Sequence, residues 1–178
     1  MKTKILALLI LVSSSSVLAY EKESIRKNSI VVGFASGAID ISNEKYDDSY
    51  GVSAKYRYEI NSDFGVVTSL TYTGLSNSYV GYYGGYYYSG TLDMDYLSIL
   101  AGPTLRANKY FSVYGMIGFA NGTIDTGFYS NDDTAFSYAA GFQINPTDSF
   151  VIDASYEVTE FSGDIEVGTW SVGAGYKF

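Results

Sequence analysis

Lys55, Arg57 and Glu59 stand at every second position of one alternating segment, and Arg106, Asp153 and Glu157 hold equivalent positions in others. Successive strand side chains point to opposite faces, so all six fall on the face turned away from the apolar residues. Three cations and three carboxylates on one face admit three chemistries. They could line an ion path, supply a carboxylate pair for acid–base work, or pack as ion pairs and hydrogen bonds. The chain has no His and no Cys, which removes the commonest general base, the commonest metal ligand and any thiolate. If the face is the inside of a small barrel, eight strands leave room for side chains and little else. Buried charges must then be paired. The expectation is a closed lumen filled by Lys55, Arg57, Glu59, Arg106, Asp153 and Glu157. No catalytic, cofactor or metal site is expected.

A second cluster is Tyr79-Val-Gly-Tyr-Tyr-Gly-Gly-Tyr-Tyr-Tyr88, with six Tyr and three Gly in ten residues. Tyr offers amphipathic contact area at low side-chain entropy cost, and Gly offers adaptability. Tyr79, Tyr82, Tyr83, Tyr86, Tyr87 and Tyr88 are therefore a candidate ligand-contact loop. The competing reading extends the neighbouring strands, with the rings as an interfacial girdle. A third group comprises Asp47-Asp48, Asp93 with Asp95, and Asn131-Asp-Asp133. These match no twelve-residue calcium loop and are expected to form a solvated acidic rim.

The elements that position these residues are strands. Eight alternating segments can be read: 29–39, 50–60, 64–75, one within 88–107, 110–122, 135–145, 150–159 and 167–178. The second is plain, with Tyr50, Val52, Ala54, Tyr56, Tyr58 and Ile60 on one side and Ser53, Lys55, Arg57 and Glu59 on the other. Short links at 61–63, 108–109 and 146–148 alternate with longer ones near 40–49, 76–90, 123–134 and 160–166. Short periplasmic turns opposite longer extracellular loops are the habit of outer-membrane barrels. A soluble barrel would turn its apolar face inward around a ligand. Here the opposite face is too polar to hold a lipid, and the aromatic face is too apolar for water. Pro103, inside the fourth strand, suggests a bulge.

The ends of the chain agree. Met1 to Lys4 is basic, Ile5 to Val12 is apolar, and Val17-Leu18-Ala19 is a small-residue cleavage site. Residues 1–19 read as a cleaved signal peptide and 20–178 as the barrel domain. Removing Lys2 and Lys4 takes the net charge of −8 to about −10, which argues against nucleic acid as a partner. Mean hydropathy near zero is uninformative, because alternation averages the two faces. At the other end Trp170, Val172, Ala174, Tyr176 and Phe178 alternate to the last residue. That segment resembles the C-terminal signature of bacterial outer-membrane barrels. The resemblance implies recognition by the barrel assembly machinery through Trp170, Val172, Tyr176 and Phe178.

Several stretches together resemble the Ail/Lom/OmpX family of small outer-membrane barrels. They are Gly51-Val-Ser-Ala-Lys-Tyr-Arg-Tyr-Glu59, Ala101-Gly-Pro-Thr-Leu-Arg106, Gly141-Phe-Gln-Ile-Asn-Pro146, Val151-Ile-Asp-Ala-Ser-Tyr-Glu157 and Trp170 to Phe178. The resemblance covers nearly all of the mature chain. It implies an all-β, eight-stranded antiparallel up-and-down transmembrane β-barrel in the cell outer membrane. It also implies surface interaction through extracellular loops: adhesion, invasion or serum resistance. Expected partners are outer-membrane lipid, the assembly machinery and a host cell-surface or matrix protein. A structural or stress-response barrel without a dedicated ligand is the rival reading. Barrels that modify lipid A rely on a His-assisted site, and this chain has no His.

Overall fold

Alternating apolar and polar residues allow a closed sheet to turn its apolar face to lipid and enclose its polar face. The chain adopts that solution. The computed structural model describes residues 28–41, 44–45, 49–83, 86–125, 130–162 and 165–178, and the signal-peptide reading of 1–19 lies outside them. Eight strands form the wall: β1 (Ser29–Ile41), β2 (Ser49–Glu59), β3 (Phe64–Tyr83), β4 (Tyr86–Arg106), β5 (Phe111–Asp125), β6 (Ser130–Ile144), β7 (Phe150–Phe161) and β8 (Ile165–Lys177). Each pairs antiparallel with its sequence neighbour, and β8 pairs antiparallel with β1 to close the barrel. The closing register runs from Ser29↔Lys177 to Ile41↔Ile165. The two-residue piece Glu44–Lys45 folds back on the end of β1.

The faces divide as the alternation requires. Val32, Phe34, Ile99, Ile117, Phe119, Phe142, Trp170 and Val172 point outward and are exposed. A band this apolar is stable only against lipid. Aromatic pairs reinforce it across strands: Tyr156 with Trp170 at 4.6 Å between ring centroids, and Phe34 with Tyr50 at 5.9 Å. The inner face carries the polar side chains and a small apolar cluster of Val67, Leu100, Tyr114, Met116 and Ala139.

The three short links are turns closed by their first polar residue. Asn61 Oδ1 accepts from the N–H groups of Asp63 and Phe64, Asn108 Oδ1 from those of Tyr110 and Phe111, and Thr147 Oγ1 from those of Ser149 and Phe150. These side chains imitate a backbone turn and hold each hairpin tight. Asn28 lies at the same end, where its carbonyl accepts from the Phe178 N–H.

Two expectations change. The long links are mostly strand: β3 and β4 pair as far as Tyr83↔Tyr86, and β5 and β6 as far as Asp125↔Ser130. The alternation fades above the bilayer because neither face there meets lipid. The ladder itself continues, held by backbone bonds and by polar side-chain pairs across strands. Ser76 donates to Asp93 at 2.6 Å, and Thr123 donates to Asp132 at 2.8 Å. The second change concerns Pro103, where there is no bulge. The β4–β5 register passes from Ala101↔Ile117 to Thr104↔Tyr114, three residues on each strand, with two rungs unbridged between. Pro103 has no N–H to give, so the ladder lapses locally without gaining a residue.

Candidate functional site

β2 is the hub of the lumen. Its inward residues Lys55, Arg57 and Glu59 are each at most 3 % exposed. At the short-turn end, Glu59 Oε1 lies 2.5 Å from Arg106 Nη2 and 2.9 Å from Arg57 Nε. One carboxylate thus serves two guanidinium groups. Arg57 Nη1 donates on to Gln143 Oε1 at 3.0 Å, and Gln143 Nε2 donates to Asp153 Oδ2 at 3.1 Å. Midway up, Lys55 Nζ donates to Asp153 Oδ1 at 2.5 Å, Ser155 Oγ at 2.7 Å and Ser171 Oγ at 2.8 Å. All three ammonium donors are therefore used. Asp153, fully buried, also accepts from the Tyr114 hydroxyl at both oxygens. Burying such charges is costly, and the density of partners around Lys55 and Asp153 makes it tolerable. In the Glu59 cluster, Arg57 Nη2, Arg106 Nε and Glu59 Oε2 have no hydrogen-bond partner among the described residues.

Glu157 occupies a separate layer nearer the extracellular end. Its Oε1 accepts from the Tyr96 hydroxyl at 2.5 Å and from Ser137 Oγ at 2.9 Å. Thr159 donates to Ser137 and lies 2.6 Å from the Tyr96 hydroxyl. The structure thus brings five predicted residues, Lys55, Arg57, Glu59, Arg106 and Asp153, into one network and holds the sixth, Glu157, in its own. Sequence reasoning did not single out Tyr96 and Tyr114. Their signal was available: Tyr96 shares parity with Ser98 and Leu100, and Tyr114 with Ser112 and Met116, opposite to Leu97 and Val113. A lumen so filled should not conduct. Planar-bilayer recordings of the purified protein should show no stable, large conductance, and stepwise persistent openings would contradict the packing described.

The extracellular end differs. β2 follows β3 only to Tyr50↔Gly74, and β5 follows β4 only to Asp93↔Asp125, whereas β3 and β4 pair with each other to Tyr83↔Tyr86. A two-stranded ribbon therefore rises beyond the barrel wall. It carries all six candidate tyrosines, with Tyr79 opposite Gly90, Tyr82 opposite Tyr87 and Tyr88 opposite Gly81. Tyr82 is eight residues beyond Gly74, about 26 Å along a strand at ~3.3 Å per residue, and its side chain is exposed. Gly84 and Gly85 lie outside the described residues. At the same end of the barrel stand Asp93, Asp95 and Asp125 beside the ribbon's base, and Asp132, Asp133, Glu160 and Glu166 farther round the wall. Asp93 faces Asp125 and Glu160 faces Glu166 directly across their ladders. From residue 28 onward, Lys45 is the one Lys or Arg whose chain position falls at this end; the others are in the lumen, in the 108–109 turn or at the end of β8. Asp47 and Asp48 lie outside the described residues.

On β8, Trp170, Val172, Tyr176 and Phe178 all face outward, and the strand is hydrogen-bonded on both sides, to β7 and β1. A closed sheet with no free edge within the bilayer, an apolar outer band and a polar packed interior defines an outer-membrane β-barrel. Comparison with known proteins places it further. The chain belongs to the outer membrane protein β-barrel domain family, which it matches over residues 5–178. It is 38% identical over 173 residues to the attachment invasion locus protein of Yersinia enterocolitica, covering 94% of this chain and 95% of that one. It is 39% identical over 135 residues to outer membrane protein X of Escherichia coli K12, covering 72% and 74%. Its structure superimposes with a TM-score of 0.75 on Ail, the attachment invasion locus protein of Yersinia pestis, solved in complex with the heparin analogue sucrose octasulfate. That pair is 37% identical and covers 86% of this chain and 99% of the other. The protein is a member of the Ail/OmpX type of outer-membrane barrel and resides in the outer membrane.

Proposed function

We propose that this barrel mediates attachment to host surfaces through its extracellular end, with the β3–β4 ribbon as the contact surface. The single observation that carries this reading is the ribbon itself. It extends well past the wall it belongs to, and its tip is a tyrosine run. Lipid-facing strands need no such extension to fold. Relatives named for attachment and invasion support the same reading, as does a more distant one, 29% identical, named as the virulence membrane protein PagC of Salmonella typhimurium.

The chemistry of the partner follows from charge. Sulfated glycans are polyanions, and the carboxylates at the ribbon's base repel them. A host cell-surface or matrix protein fits better, its apolar and aromatic area meeting the tyrosines. The protein acts without turnover in this reading. The lumen carboxylates Glu59, Asp153 and Glu157 are each engaged by neighbours and at most 4 % exposed. We further propose that residues 1–19 direct export and are removed, and that the β8 segment ending in Phe178 is read by the barrel assembly machinery.

Replacing Tyr82, Tyr83, Tyr86 and Tyr87 with Ser should lower cell attachment about tenfold or more, since hot-spot aromatics carry most of an interface's energy. Barrel assembly, read as the heat-dependent gel mobility shift, should be unchanged. Unaltered attachment by this variant would reject the ribbon as the contact surface. Failure of the unmutated protein to bind any host cell or matrix component would favour a structural barrel instead.

A further inference from the structure

We infer that Lys55 is a latch across the seam where the barrel closes. The β1–β8 pairing is the one neighbouring pair of the wall not joined by a hairpin. Closing it brings together residues nearly the whole chain apart, the costliest loop in entropy. Opening it returns more chain freedom than opening any other pair. Midway along the seam the lumen side has no side chains to pack, because Gly33 stands opposite Gly173; the buried Val31 and Ala35 flank this gap on β1. Neither glycine can be replaced there: a Cβ on Gly33 would lie 2.5 Å from the Val172 carbonyl oxygen.

Lys55 bridges that gap from one side to the other. It sits on β2, beyond β1, with Val31 as its register partner. Its three acceptors, Asp153, Ser155 and Ser171, all belong to β7 and β8. The ammonium therefore ties the first hairpin of the chain to the last, with the seam between them. None of its acceptors is in place until the C-terminal hairpin has docked. After docking, seam opening would strip a buried ammonium of all three of its hydrogen-bond acceptors and leave it only the Tyr114 ring, 5.9 Å away, a costly state. Tyr96, which crosses the lumen from β4 to β7, spans no seam and makes a suitable comparison.

The test uses the assembled protein in detergent micelles, and its readout is the unfolding rate in denaturant. Lys55→Met combined with Asp153→Asn removes the pair without stranding a charge. Each variant is also made in a background with Val32→Cys and Ala174→Cys, register partners across the seam, oxidised to a disulfide. The protein has no native Cys to interfere. Without the cross-link, the Lys55/Asp153 variant should unfold about tenfold faster, the scale expected for a lost charged hydrogen-bond set. With the cross-link, the acceleration should fall to about twofold or less, since the seam no longer needs the latch. Tyr96→Phe should accelerate unfolding equally in both backgrounds. Equal acceleration by the Lys55/Asp153 variant in both backgrounds would reduce Lys55 to ordinary lumen packing, and no acceleration in either would also overturn the latch. If that variant does not assemble, Ser171→Ala takes its place. Its effect should be smaller and again abolished by the cross-link; persistence of the effect would overturn the proposal.

Discussion

Glu59→Gln is expected to destabilise the barrel by about 3–5 kcal/mol, the range for removing one partner of a buried ion pair. The size of the effect comes from sharing. Arg57 and Arg106 both rest on the same Glu59 oxygen, at 2.9 Å and 2.5 Å. Gln keeps the shape and loses the charge, which leaves two neighbouring guanidinium groups facing each other in a lumen largely closed to water. Arg57, 2 % exposed, has no route to solvent, and its remaining acceptor is the neutral Gln143 amide. Arg106 is less buried and recovers part of the loss by hydration. The measurement is the denaturant midpoint in micelles. Ser112→Ala is the contrast: this hydroxyl is fully buried with no hydrogen-bond partner among the described residues. Its removal breaks no bond and relieves a desolvation penalty, so stability should hold or rise by about 1 kcal/mol. A Glu59→Gln midpoint indistinguishable from that of Ser112→Ala would mean that the charge cluster contributes nothing to the folded barrel.

Phe178→Ser is expected to do the reverse, leaving stability nearly intact and depressing assembly in cells severalfold. The ring points outward and is 58 % exposed, so it has little packing within the barrel to lose. Its contact with lipid lies where β8 ends at the membrane boundary, where a polar substitution costs less than at mid-bilayer. What orders the residue is its backbone, whose N–H donates to the Asn28 carbonyl at 2.8 Å, and Ser keeps that bond. In the assembly role proposed above, the side chain matters earlier, when an apolar, alternating C-terminal strand ending in an aromatic is recognised before the sheet closes. Outer-membrane levels at native expression and the micelle denaturation midpoint together decide the point. Equal loss in both measurements would assign Phe178 to stability, and normal levels of Phe178→Ser would remove it from assembly.

The two residues also separate what this sequence determined from what its folding decided. Strand count, face assignment and turn positions were legible because each is a local property. A side-chain period of two sorts Trp170 to Phe178 or Tyr50 to Ile60 into lipid-facing and inward sets with no knowledge of any partner. Asn61, Asn108 and Thr147 mark turns because each satisfies its own backbone. The family resemblance rested on the same strands. The six charged lumen residues were identifiable by parity, but their partners were not. Lys55 and Asp153 are 98 positions apart, and Glu59 and Arg106 are 47 apart. Which inward side chain meets which across a barrel depends on strand tilt and stagger, which exist only once the sheet has closed. For the same reason Tyr96 and Tyr114 remained anonymous inward residues until their hydroxyls met Glu157 and Asp153. The height of the β3–β4 ribbon was hidden too: above the bilayer no face is apolar, so the strand signal vanishes while the backbone ladder persists. Lys55's position astride the seam belongs wholly to the tertiary structure, because the seam joins two ends of a chain that are neighbours only after the barrel closes.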